Sequence, residues 1–204
     1  MSVPAAARVA RWGFGDDPEV VRAALDHGAV VAFPTESSYG LGVDPTDDRA
    51  VEALFRLKDR GAGKALPVVA ADLAALGRLG VDLAARPMVW ASLRWPAALT
   101  VVAPLARPIA ASGGRTELAV RIPDHGPLRA LLAALGRPLT ATSANPAGAE
   151  PYLDPDAVAA WLERSGCEAL VVGREPAPGG PPSTLVAFEG DAPRVLRQGR
   201  VAIA

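Results

Sequence analysis

Residues 29–42, AVVAFPTESSYGLG, constrain the fold more than any other stretch of the chain. Residues 29–33 are an unbroken apolar run of strand length, the pattern of a strand buried on both faces, and Pro34 is expected to end regular pairing because it has no N–H to give. Four hydroxyls follow within five positions, Thr35, Ser37, Ser38 and Tyr39, with Glu36 among them and Gly40 and Gly42 freeing the backbone. A strand end that delivers hydroxyls into a flexible loop is how open α/β sheets build small-molecule sites. A plain polar turn between strand and helix is the alternative.

The remaining periodicity alternates helices with strands. Asp16 or Asp17 can cap a helix that carries Pro18 and Glu19 in its first turn, shows Val20, Val21, Ala24 and Leu25 on one face and stops at Gly28. A second helix is predicted over 47–59, with Ala50, Val51, Leu54, Phe55 and Leu57 apolar and Gly61 as its stop. Further helices are predicted over 72–77, 82–93, 126–135 and 156–165. Strands are predicted over 66–70, 98–103, 118–122 and 169–172, with two strand-like pieces near the C-terminus, STLVAF and RVLRQG. The pattern predicts an α/β fold and, at 204 residues, one domain over 1–204.

Composition closes off several classes of function. The 21 basic and 22 acidic residues balance, so the net charge does not call for a polyanion as main partner. One cysteine, Cys167, rules out an internal disulfide, and with only His27 and His125 beside it a zinc site of the usual ligands is not expected. Cys167 reads as a small core residue, His27 as a helix-end group and His125 as structural. The N-terminus lacks the apolar core of a signal peptide and no apolar run is of bilayer length, so a soluble, cytoplasmic protein without membrane contact is expected.

Lysine usage points to a site. Against 19 arginines stand only Lys58 and Lys64, both in the segment LKDRGAGKALP together with Arg60. A compact ammonium and a planar guanidinium are not interchangeable, and two glycines make this a phosphate-accessible loop; cations that complement a helix C-terminus are the alternative. Arg121 lies inside LAVRIP, where it must face water, pair with an acid or bind an anionic ligand. LTATSANPAG gathers Thr140, Thr142, Ser143 and Asn145 at a second polar strand end. Thr100 is a lone hydroxyl inside an apolar strand, and Trp95 reads as a core or edge aromatic.

KDRGAGK and the later SAN together resemble the K-x-R and S-x-N signature of the threonylcarbamoyl-AMP synthase family, the TsaC/YrdC proteins of tRNA modification. FPTESSYGLG, RWPAALTVVAP, LAVRIPDH, LTATSANPAG, PSTLVAF and LRQG are similar to further family segments in the same order, which is far more specific than any one motif. Departures are Ala97 and Ala98 where Gly-Pro usually follows Trp-Pro, Gly61 where Pro usually follows K-x-R, and Ala187 near a position often acidic. PVVA stands where longer relatives have a histidine after the basic loop, and the chain resembles the short, single-domain form.

The resemblance implies a twisted open mixed sheet with flanking helices around a concave basic cavity. It implies a nucleotidyltransferase, L-threonylcarbamoyladenylate synthase, that joins L-threonine, bicarbonate or CO2, and ATP with release of pyrophosphate, for N6-threonylcarbamoyladenosine in tRNA. Lys58, Arg60, Lys64, Ser143, Asn145 and Arg197 are then the ATP contacts, with Lys58 and Arg60 catalytic. Thr35, Arg121 and Ser183 are the threonine contacts, Mg2+ arrives on the ATP phosphates, and Glu36 is a candidate proton acceptor. tRNA or tRNA-modification proteins are possible partners. A non-catalytic RNA-binding protein of this fold, or a paralogue with another acyl or carbamoyl substrate, are the competing readings.

Overall fold

The computed structural model describes residues 9–59 and 63–203. Two open mixed sheets share one continuous backbone path. In the first, β1 (Val9–Trp12), β9 (Ala169–Val172) and β2 (Val30–Pro34) run parallel, and β3 (Tyr39–Gly42) and β8 (Thr142–Ser143) add antiparallel. In the second the order is β11 (Ala192–Arg197), β10 (Thr184–Glu189), β5 (Leu99–Pro104), β6 (Glu117–Arg121), β4 (Val68–Val69) and β7 (Leu139–Thr140). Only the β10–β5 and β6–β4 neighbours of this sheet are parallel.

The sheets meet where the chain changes partners at Ala141, between β7 and β8. Its N–H donates to Pro67 O at 2.7 Å, while Thr140 N–H donates to Val43 O at 2.9 Å and Thr140 Oγ1 accepts from Val43 N–H at 3.0 Å. The N–H groups of Ala141, Thr140 and Val43 are thus all paired at this corner, where the chain passes from one sheet to the other.

The expected apolar strand forms and is buried along its whole length. Pairing ends at Pro34 as expected: it sits opposite Tyr39 as the last residue of β2. The missing N–H costs nothing there, because a hairpin end needs no further ladder bond. The hydroxyl segment therefore turns a β-hairpin rather than joining strand to helix. Gly40 and Gly42 lie in β3, where a Cβ on Gly42 would stand 2.6 Å from Phe33 Cε1 and 2.7 Å from Thr140 O. These glycines are needed for close packing more than for backbone freedom.

Among the described residues six helices flank the sheets: α1 (Pro18–Asp26), α2 (Asp48–Leu57), α3 (Leu73–Arg78), α4 (Arg86–Ser92), α5 (Gly126–Leu135) and α6 (Pro155–Arg164). Asp17, Asp47, Asp72 and Asp154 cap their helices by accepting backbone N–H bonds, each cap worth about 1 kcal/mol. The predicted helix over 82–93 begins only at Arg86, since residues 82–85 form a turn stapled by Ala85 N–H to Asp82 O. β1, which sequence patterning missed, alternates poorly because three of its four residues stay partly exposed.

Helices α1 and α5 cover one face of the first sheet through Val21, Leu25, Leu128, Leu131, Leu132 and Leu135, packed on Val31, Phe33, Leu170 and Val172. On the other side α2 and α6 close a larger core around Tyr39, Leu41, Leu54, Phe55, Val158 and Leu162. Each such aliphatic or aromatic side chain contributes about 1.5–3 kcal/mol through burial. Trp161 joins this core as expected. No helix among the described residues is long and apolar enough to cross a membrane.

Candidate functional site

A cavity of about 460 Å3 opens at the junction of the two sheets. Its floor comes from sheet residues Val69, Thr100, Arg121, Leu185 and Arg197; Thr35, Ser37, Ser38, Tyr39 and Gly40 form one wall, and Thr142 and Ser143 adjoin them. Ala65, Pro67, Pro182 and Ser183 complete the rim. Among the described residues of this lining, Arg121 and Arg197 alone carry charge, both cationic. Such a surface offers hydrogen-bond donors and positive charge to an anionic small molecule.

Arg121 is 7% exposed although it lines the cavity. Burial lowers its pKa, the nearby Arg197 adds to the lowering, and Glu36 opposes both. Glu36 Oε1 lies 3.3 Å from Arg121 Nη1, with the two side chains 11% and 8% exposed. Neither Glu36 oxygen accepts a hydrogen bond among the described residues, so the ion pair is its main compensation. Of the three fates open to Arg121 in sequence, the pairing with an acid is present, on a guanidinium that also reaches the cavity. Glu36 itself is absent from the lining, behind Arg121.

Lys58 caps the C-terminus of α2 and is buried, with 8% exposure. Its Nζ donates to Ser143 O at 2.6 Å, Asn145 O at 2.8 Å and Asn145 Oδ1 at 2.6 Å. Asn145 Oδ1 also accepts from Ser143 Oγ at 2.6 Å, and its amide donates to Pro146 O and Ala149 O. The lysine of the basic segment and the polar residues of SAN, 85 and 87 positions apart, thus form one network. Ser143 presents this network to the cavity, while Lys58 and Asn145 stand behind it.

The sequence-predicted residues therefore separate into groups. Thr35, Arg121, Ser143, Ser183 and Arg197 line one cavity. Lys58 and Asn145 support its wall, and Lys64 is exposed on the loop whose next residue, Ala65, lies on the rim. Arg60 lies outside the described residues. Thr100, Leu185 and Val69 were not singled out as site residues; the signal for Thr100 was a hydroxyl inside an otherwise apolar strand, and the two aliphatic residues carry no such mark.

Arg197 donates from Nη2 to Ser183 O at 2.8 Å and to Ser183 Oγ at 3.2 Å, tying the last strand to the rim. Gly199 makes this approach possible. A Cβ there would lie 2.2 Å from Pro182 O and 2.5 Å from Ser183 C, both backbone atoms that cannot rotate away. Gly199→Ala is expected to displace residues 182–184 and lower stability by about 1–3 kcal/mol, as overpacking does. Thermal denaturation checks this; an unchanged midpoint would show that the segment yields freely.

The histidines and the cysteine lie apart from this lining. His125 caps α5, its Nδ1 accepting from Leu128 N–H at 3.1 Å, and burial lowers its pKa. His27 Nδ1 lies 2.7 Å from Ala23 O at the end of α1. Burial pushes the half-buried Cys167 thiol up to about 11, as suits a packing residue. Among the described residues no group of three or more His, Cys, Asp or Glu is placed to hold a metal ion.

Fold and cavity together define an open mixed α/β protein with a recessed cavity lined by hydroxyls and two guanidinium groups. A family model for the Sua5, YciO and YrdC proteins, described as telomere recombination, matches residues 23–199, and the chain belongs to that family. A threonylcarbamoyl-AMP synthase of Thiobacillus denitrificans is 41% identical over 133 residues, which are 64% of this chain and 71% of the relative. Sua5 of P. abyssi, solved in complex with L-threonine, superposes with a TM-score of 0.79 at 29% identity over 95% of this chain. This chain spans 58% of that protein. E. coli YciO, at 24% identity and a TM-score of 0.75, matches 95% of this chain and 96% of its own length, and supports the fold.

Proposed function

We propose that this protein is an L-threonylcarbamoyladenylate synthase, a nucleotidyltransferase that makes threonylcarbamoyl-AMP and pyrophosphate from L-threonine, bicarbonate or CO2, and ATP, for t6A in tRNA. The observation that carries the reading is the cavity in which Thr35, Arg121, Ser143, Ser183 and Arg197 converge from five separate segments. A relative named for this activity and a threonine-bound structural neighbour agree with it.

The threonine amine attacks the carbon of CO2, giving a carbamate and releasing a proton. A carbamate oxygen then attacks the α-phosphorus of ATP and pyrophosphate leaves. Neither step needs a protein nucleophile, so the residues act by positioning and by stabilising negative charge. In this scheme Arg121 holds the threonine carboxylate, Thr35 bonds its polar groups, and Ser183 acts on the same subsite through its hydrogen bond to Thr100. Ser143 and Arg197 meet the nucleotide, Lys58 and Asn145 shape the wall that Ser143 belongs to, Lys64 meets the phosphates, and Arg60 keeps the phosphate role that the family signature implies for it. The described lining offers cations and hydroxyls rather than carboxylates, so Mg2+ would be held by the ATP phosphates and would neutralise part of their charge. The pairing of Glu36 with Arg121 favours a charge-compensating role for Glu36 over proton transfer.

Mass spectrometry of protein incubated with ATP, Mg2+, bicarbonate and L-threonine tests the reading. Threonylcarbamoyl-adenylate is expected, at a mass that disappears when any one substrate is left out. A folded protein that forms none, yet binds RNA with a steep salt dependence, would instead be the RNA-binding form of the fold.

A further inference from the structure

The floor of the cavity is one cross-strand row of the second sheet. Arg197 pairs with Leu185, Leu185 with Thr100, and Arg121 with Val69. The β5–β6 register, with Val101 opposite Val120, brings Thr100 and Arg121 to adjoining positions. A donor-only guanidinium therefore stands at each end of a segment that contains Thr100.

Thr100 is 5% exposed, and its hydroxyl lies 2.8 Å from Ser183 Oγ. That is its side chain's one hydrogen bond among the described residues. Ser183 Oγ also accepts from Arg197 Nη2 at 3.2 Å. Two hydroxyls bring two protons to this pair and their mutual bond uses one, so one O–H is left without an acceptor on the cavity wall. The charge of Arg197 decides which. A hydroxyl that accepts from a cation becomes a stronger donor, so the bonds run from Arg197 to Ser183 to Thr100, and the spare proton is on Thr100 Oγ1. The ligand must then supply an acceptor beside Arg121, and two flanking positive charges favour a carboxylate oxygen over a neutral hydroxyl.

We propose that Thr100 is a substrate-binding residue, donating its hydroxyl proton to the same carboxylate that Arg121 holds, with Ser183 as the positioning residue behind it. This rests on the amino-acid substrate proposed above. Calorimetric titration of L-threonine and of Mg-ATP into the wild type, Thr100→Val, Thr100→Ser and Ser183→Ala tests it, with the thermal midpoint of each recorded.

Thr100→Val is expected to weaken L-threonine by about tenfold, the loss of one charge-assisted bond, with ATP affinity kept. Thr100→Ser should bind as the wild type does, and Ser183→Ala should lose less than Thr100→Val because Thr100 keeps its proton. Unchanged threonine affinity in folded Thr100→Val, an equal loss for both ligands, or a larger loss in Ser183→Ala overturns the assignment. A wild type that binds ATP but no L-threonine overturns the amino-acid reading itself, and this assignment with it.

Discussion

Arg121→Ala is expected to lower stability by about 3–5 kcal/mol, the cost of leaving one member of a buried ion pair without the other. The stranded group is Glu36, whose two carboxylate oxygens have no hydrogen-bond donor among the described residues and whose side chain is 11% exposed. The same substitution should weaken L-threonine by tens-fold to hundred-fold, about 2–3 kcal/mol, with nucleotide affinity nearly kept. Thermal unfolding and calorimetry separate the two effects. In the double variant Glu36→Ala/Arg121→Ala, stability should recover in part while threonine binding does not, because the removed carboxylate no longer needs compensation but the ligand still does. An Arg121→Ala protein with the wild-type midpoint would deny the ion pair its structural role. One with wild-type threonine affinity would remove Arg121 from the substrate site.

Lys58 has the next largest expected effect. From sequence, substitution of either lysine by arginine is expected to leave folding intact, since both positions lie at or beyond the end of a helix. The structure corrects this for Lys58, which is buried and gives its protons to three acceptors on Ser143 and Asn145. A planar guanidinium cannot converge three donors on that point as a compact ammonium does. Lys58→Arg is therefore expected to cut adenylate formation by about tenfold or more, equivalent to roughly 1.4 kcal/mol in the transition state. It should also lower stability, since each buried acceptor left unmade costs about 1–3 kcal/mol. Lys64 is exposed, so Lys64→Arg should fold as the wild type does, and any loss of turnover there reports on phosphate contact alone. Pyrophosphate release and the thermal midpoint of both variants decide. A fully active, fully stable Lys58→Arg would mean that the SAN loop is held without it.

The parts of the fold legible in sequence are those governed by local rules. The boundaries of β9 and α5 agree with the predicted ranges, since an apolar run or a 3.6-residue stripe is imposed by burial at that element alone. Asp17 and Asp47 cap their helices for reasons contained within four residues. Where prediction failed, the deciding partner was remote. Residues 34–39 become a hairpin because β3 finds β8 at Ser143 and Thr142, and β1 becomes a strand because β9 lies beside it.

The candidate site divides along the same line. Sequence alone singled out the candidate residues: hydroxyls at two strand ends, two lysines in a chain of arginines, and a guanidinium inside an apolar strand. Only the tertiary structure decided what each of them faces. Lys58 and Arg121 are both cations in polar-flanked segments, yet one is turned inward to bind the SAN loop and the other is set beside Glu36 on the cavity floor. The physical reason is that a buried charge must find its compensation in three dimensions. Cross-strand register and the change of sheet at Ala141 determine which partner lies within reach, and neither is written in the neighbouring residues.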